Sequence, residues 1–131
     1  MKRTRLLNSE LSYEISRIGH TASITLCDAG LPIHLAVKRI DLAIERGYPS
    51  LIKTLDAVLS EMKVESAVVA NELAPNNAAI DHELRRLLDG TPISTMSHED
   101  FKALTRNARA VVRSGEFSPY ANVILRAGVV F

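Results

Sequence analysis

The feature that most constrains this chain is the alternation of short apolar runs with longer stretches in which aliphatic residues recur three and four positions apart. The runs SITLCD, KRIDLAI, ESAVVANE, PISTM, RAVVRSGE and ANVILRAGVVF are short, apolar and rich in β-branched residues, as strands bounded by turns should be. Between them, Leu11, Ile15 and Ile18, then Leu51, Ile52, Leu55, Val58, Leu59 and Met62, then Ile80, Leu84, Leu87 and Leu88 mark single helical faces. Strands separated by helices of this length require a sheet covered by helices. The expectation is a single three-layer α/β/α domain over residues 1–131 with a mixed, largely parallel sheet. The last strand is expected to run to Phe131, with the final two strands as a candidate antiparallel pair.

Helix ends carry their own signals. Asn8 or Ser9 caps the first helix and Gly19 can supply a left-handed terminus, Ser50 caps the second, and Gly90 ends the third. Ser97 with Asp100 three residues on is a capping-box variant that places His98 in a first helical turn. Asp81 with Arg85 and Glu83 with Arg86 are spaced to brace an exposed helix face.

Sixteen basic against fifteen acidic residues give a formal charge of +1, so no general field draws in nucleic acid, polyphosphate or an anionic membrane. The opening MKRTR is one short basic cluster without interleaved aromatic residues, expected to be a frayed, solvated terminus. No apolar run reaches membrane-spanning length. One cysteine, Cys27, sits within a strand-like run, where a free thiol acts as a small hydrophobe; a reducing cytoplasm fits it.

In open α/β sheets, ligands bind beyond the carboxyl ends of strands, where loops gather side chains from several strands. Asp28, His98 and the Asn71–Glu72 pair follow strand candidates. The glycine-rich nucleotide loops, the zinc motifs HExxH and paired CxxC, and the GxSxG elbow are all missing. What remains is histidine and carboxylate chemistry, in which an imidazole exchanges protons near neutral pH. His20 stands at a helix exit, with a solvated or capping role as its alternative. Asp28 opens DAGLP, where an Asx-turn would serve the loop alone. His82 lies on a charged helix face, and His34 falls in a loop without an assignable role. Tyr120 and Asn122 in SPYAN offer polar groups that turn and strand-start duties would also explain.

The segments LNSELSYEISRIGHT, CDAGLPI, RIDLAIERGYPS, SHEDFKALT and RSGEFSPYANVILRAGVVF together resemble the D-ribose pyranase family, from about Leu7 to Phe131. The related fucose mutarotases share the general plan and the GH histidine, whereas AGLP after the aspartate favours the ribose branch. The resemblance implies an enzyme that interconverts the β-pyranose and β-furanose forms of D-ribose, supplies furanose to ribokinase, and needs no metal and no organic cofactor. Carried residue by residue, it makes His20 of GHT the proton donor. Asp28 of DAGLP, His98 of SHED, and Tyr120, Ala121 and Asn122 of SPYAN become sugar contacts. It also implies a ring-like homodecamer with sites near subunit boundaries, and no nucleic-acid or membrane partner. The expectation on mechanism is that His20 protonates the ring oxygen while Asp28 orients it or holds a hydroxyl, the two meeting in one crevice. The competing readings are a non-catalytic ribose-binding accessory of a transporter and a mutarotase for fucose or another sugar.

Overall fold

Asn8 accepts the Leu11 amide hydrogen at 2.9 Å and starts α1 (Ser9–Arg17) in this computed structural model, which describes residues 1–131. The chain continues through β1 (Ser23–Cys27), β2 (Lys38–Asp41), α2 (Leu51–Leu59), β3 (Val64–Ala70), α3 (Leu73–Asn76), α4 (Ala78–Leu87), β4 (Ile93–Met96) and α5 (His98–Leu104). A 3-10 turn (Thr105–Asn107), β5 (Ala110–Arg113) and β6 (Val123–Ala127) complete it. Ser50 caps α2 through the Lys53 N–H, and Ser97 caps α5 through the Asp100 N–H, each at 3.1 Å.

The strands form one sheet in the order β2-β5-β1-β6-β3-β4. β1 and β2 pair parallel with β5, β3 pairs parallel with β4, and β6 lies antiparallel between β1 and β3. Five strands therefore point one way and only β6 points the other, so the sheet is mixed and largely parallel.

Alternation along the strands sorts the core into two layers. Ile24, Leu26, Ala67, Val69, Ala110, Val112, Val123 and Leu125 face one side with α1, α2 and α4, whose Leu11, Leu55, Val58 and Leu84 are buried there. The intervening Cys27, Val68, Val111 and Ile124 face the other side, packed on Phe101 of α5 and Leu31 of the loop after β1. The second layer is thus thin: one short helix and a loop cover it.

Four expectations need correction. Helix α1 ends on Ile18 in extended backbone (φ −70°, ψ 127°), not on a left-handed Gly19. The left-handed residue is Thr21 (φ 68°), where the Thr21 N–H is claimed by the Ala127 carbonyl at 3.0 Å. Strand β6 stops at Ala127 rather than Phe131, because Gly128 donates to Lys63 O at 2.9 Å and β1 and β3 offer no further ladder. The last two strands are not paired with each other, since β1 stands between them. The basic terminus is tethered rather than loose: Lys2 reaches Glu61 and the Leu6 carbonyl, and Arg5 pairs with Asp56.

The topology determines where function can sit. β1, β2, β3, β4 and β5 end at one edge of the sheet, and β6 begins there, so the loops after β1 and β4 and the whole 114–122 connection converge on it. No helix is long and apolar enough to cross a membrane.

Candidate active site

Asp28 follows the last residue of β1 and has both carboxylate oxygens occupied. Oδ1 accepts the Gly30 N–H at 2.9 Å, closing the Asx-turn that DAGLP suggests. Oδ2 accepts from Nδ2 of Asn122, while the Asp28 N–H donates to Oδ1 of Asn122, both at 2.9 Å. Asn122 is fully buried, so one carboxamide fixes the backbone and side chain of a residue far away in sequence.

Around Asp28 opens a crevice of about 600 Å³, walled by the Asp28 to Pro32 loop, His98 and Lys102 of α5, Arg113, and the Glu116 to Tyr120 segment. Each wall is held in place. Arg113, the last residue of β5, donates from Nε to the Ala29 carbonyl at 3.0 Å and from its terminal nitrogen to Asp41 at 3.1 Å. Partial burial works to raise the Asp41 carboxyl, but the Ala43 N–H, Arg113 and Arg39 outweigh it and hold the group below the usual aspartate value. Glu116 accepts from the Leu51 N–H at 3.2 Å and from the Ser118 hydroxyl at 2.8 Å, pinning its loop to the start of α2. Asn77 donates to Ser118 Oγ and to the Pro119 carbonyl at 2.8 and 2.9 Å.

His98 is shaped from behind. Glu72 caps its backbone N–H, with carboxylate distances of 3.0 and 3.2 Å, so the acidic member of the Asn71–Glu72 pair anchors a helix rather than facing the crevice. The imidazole lies nearly parallel to Phe101 (centroids 6.3 Å, 11°) and edge-on to Tyr120 (5.1 Å, 84°). Its Nδ1 is buried without a hydrogen-bond partner. Tyr120 is held in the left-handed region (φ 57°), with its carbonyl accepting the Asn122 N–H at 2.8 Å.

The structure brings Asp28, His98 and Tyr120 to one crevice. Ala121 and Asn122 lie fully buried behind it and are not among its walls. His20 is elsewhere: it precedes β1, so a five-residue strand, about 17 Å long at 3.3–3.4 Å per residue, separates its end of the sheet from Asp28. The expectation that His20 and Asp28 share a crevice is not met within one chain. His20 is exposed and pairs through Nε2 with Glu65 Oε2 at 2.8 Å. His82 is exposed on α4, and His34 closes its own turn by accepting the Ala36 N–H at 3.2 Å.

Lys102, Arg113 and Glu116 are crevice residues that the sequence reading did not select. Lys102 was findable, since it lies four positions after His98 and therefore on the same helix face. Cys27 backs the site from the core, where burial and the neighbouring Asp28 charge push its thiol up to about 12. No group of three or more His, Cys, Asp or Glu is placed to hold a metal ion.

Residues 1–130 match the family model described as the RbsD / FucU transport protein family. The chain belongs to the RbsD / FucU family. Within it, the chain is 61% identical to a D-ribose pyranase of Rhodopirellula baltica and 51% identical to that of Laribacter hongkongensis, in both cases over the full length of each protein. The structure of Bacillus subtilis RbsD complexed with D-ribose superposes with a TM-score of 0.97 at 43% identity, covering both chains completely. The fucose mutarotase of Streptococcus pneumoniae, solved with L-fucose, gives 0.82 at 28% identity, with 95% of this chain and 94% of that one covered. The RbsD / FucU fold is the mixed α/β architecture expected from the sequence.

Proposed function

We propose that this chain is a D-ribose pyranase, a cofactor-independent mutarotase that interconverts the β-pyranose and β-furanose forms of D-ribose. The observation that carries this reading is the full-length superposition on an RbsD–ribose complex at 43% identity. It is joined by a crevice whose aspartate is immobilised by Asn122 and Gly30.

The reaction is proton transfer around one bond. A proton reaches the pyranose ring oxygen as the anomeric hydroxyl loses one, the C1–O5 bond breaks, and the open-chain aldehyde forms. The C4 hydroxyl then adds to C1, gives up its proton, and the carbonyl oxygen takes one, so no atom is lost. Sugars mutarotate unaided, and positioned acid–base groups contribute about 10²–10⁴-fold, roughly 3–5 kcal/mol. Asp28 holds a sugar hydroxyl, His98 and Tyr120 orient the ring, and the backbone at Ala121 and Asn122 keeps the wall in register. His20 serves as the proton donor.

Because His20 and Asp28 occupy opposite ends of the sheet, the working site takes His20 from a second copy of the chain. This agrees with a ring-like homodecamer whose sites lie at subunit boundaries. We assign the reaction to the cytoplasm, where furanose is passed to ribokinase; one buried free thiol suits a reducing compartment.

Saturation-transfer NMR of D-ribose is the test. Wild-type protein should accelerate exchange between pyranose and furanose signals, and His20→Ala should bind ribose but not accelerate it. Mixed oligomers of His20→Ala and Asp28→Asn subunits should regain activity, with about one site in four intact if subunits assort randomly. Binding without accelerated exchange in the wild type would refute the enzyme reading.

A further inference from the structure

We infer that Glu65 is a positioning residue for His20, fixing its tautomer so that Nδ1 is the nitrogen presented to the sugar. The inference rests on the proposed role of His20 and adds the group that prepares it.

Glu65 is the second residue of β3, which runs parallel to β1, so its side chain rises at the same end of the sheet as His20. Oε2 lies 2.8 Å from Nε2 of His20. A carboxylate can only accept, so this contact requires the proton on Nε2 and leaves the Nδ1 lone pair free in the neutral imidazole. When the ring is cationic, the same contact keeps Nε2–H occupied and directs the transferable proton to Nδ1. One tautomer therefore serves both directions of the proton transfer.

The surroundings fix Glu65 as well. Gly128, just past β6, donates its N–H to Lys63 O at 2.9 Å. A Cβ built on Gly128 would stand 3.0 Å from Cβ of Glu65 and 3.4 Å from its backbone nitrogen. Glycine there lets the chain pass flush against Glu65 without displacing it. On the His20 side, the left-handed Thr21 and its bond to Ala127 tie the histidine's loop to the same end of β6.

Exposure indicates what the pair does. The side chains are 54% and 38% exposed, a setting in which an ion pair adds little to stability. Removing Glu65 should leave the fold intact and act on proton transfer alone.

The experiment compares Glu65→Ala, Glu65→Gln and His20→Ala in the intact oligomer by two readouts: ¹⁵N chemical shifts of the His20 ring, and D-ribose exchange kinetics with ribose affinity measured separately. The expected result is an Nε2–H tautomer in the wild type and mixed tautomers in Glu65→Ala. Turnover should fall about 10- to 100-fold at unchanged affinity, a share of what positioned proton transfer supplies. Glu65→Gln, whose amide can accept from Nε2–H or donate to a bare Nε2, should leave the tautomers mixed and recover at most part of the rate. Full turnover in Glu65→Ala with none in His20→Ala would overturn the positioning role while leaving the mutarotase reading in place. Full turnover in His20→Ala would remove both the positioning role of Glu65 and the proton-donor role of His20, with the mutarotase activity itself still standing.

Discussion

The carboxamide of Asn122 grips Asp28 at two points, accepting its backbone N–H and donating to its carboxylate, each at 2.9 Å. Asn122 is fully buried, so the carboxamide is held in place for both bonds. Asn122→Ala would take the acceptor from the half-buried Asp28 N–H and free the Asp28 side chain, at a cost of about 1–3 kcal/mol. The urea midpoint should fall and ribose affinity should weaken with it. A variant that loses stability but binds ribose normally would show that Asn122 supports the fold and not the site.

Acid should loosen the Arg113 wall in a defined order. Asp41 is held below the ordinary aspartate value, so its stabilising contribution is complete above that value and disappears as pH falls through the lower, folded one. Arg113→Met removes one of the partners responsible, along with the donor to the Ala29 carbonyl. Denaturation curves should show the variant losing less stability than the wild type between pH 5 and pH 2. Equal acid sensitivity would place the acid response in other carboxylates.

What the sequence made legible was local. Ser50 and Ser97 cap the helices they were expected to cap, and the Asp28 turn closes on Gly30, because each signal spans only two or three residues. What escaped was pairing across the sheet. Nothing near Arg113 in sequence points to Asp41 or Ala29, and nothing near Glu72 points to His98; these meet only once β5 and β4 take their places beside β2 and β3. The separation of His20 from Asp28 was readable in principle. A five-residue strand between two residues puts them at opposite sheet edges, and closeness in sequence obscured this.

Gly115 is the position where a methyl group should do most harm to the crevice. A Cβ there would lie 2.3 Å from the Tyr48 carbonyl oxygen and 2.6 Å from that of Glu45, both backbone atoms that cannot rotate away. Gly115→Ala should destabilise by roughly 1–3 kcal/mol as the 45–49 turn and the Glu116 loop separate. Thermal denaturation and ribose titration should both register the change. Unchanged values in both would mean the turn yields freely.

Cys27 should be chemically silent in the folded protein. With its thiol pushed up to about 12 and the side chain fully buried, almost no thiolate exists at pH 8 and none is accessible. Iodoacetamide should label the native protein negligibly over a period that labels the urea-unfolded chain completely, by intact-mass spectrometry. Rapid native labelling would reveal opening of the layer beneath α5.

His98 yields the last prediction, from its buried and unpartnered Nδ1. Unpartnered, that atom costs about 1–3 kcal/mol whether it bears a hydrogen or a lone pair, so the polar group left to act is Nε2, taken as an N–H donor. Stacked near Phe101 and met edge-on by Tyr120, the ring then offers the crevice a fixed N–H donor, suited to a sugar oxygen. Glutamine places an amide nitrogen at a similar reach from the backbone, whereas asparagine is one carbon shorter and leucine has no donor. His98→Gln should therefore keep ribose affinity within about threefold, and His98→Asn and His98→Leu should lose about tenfold, the worth of one hydrogen bond. Calorimetric titration with D-ribose decides it. If glutamine binds as poorly as leucine, the imidazole acts through its shape or charge and not through an Nε2 hydrogen.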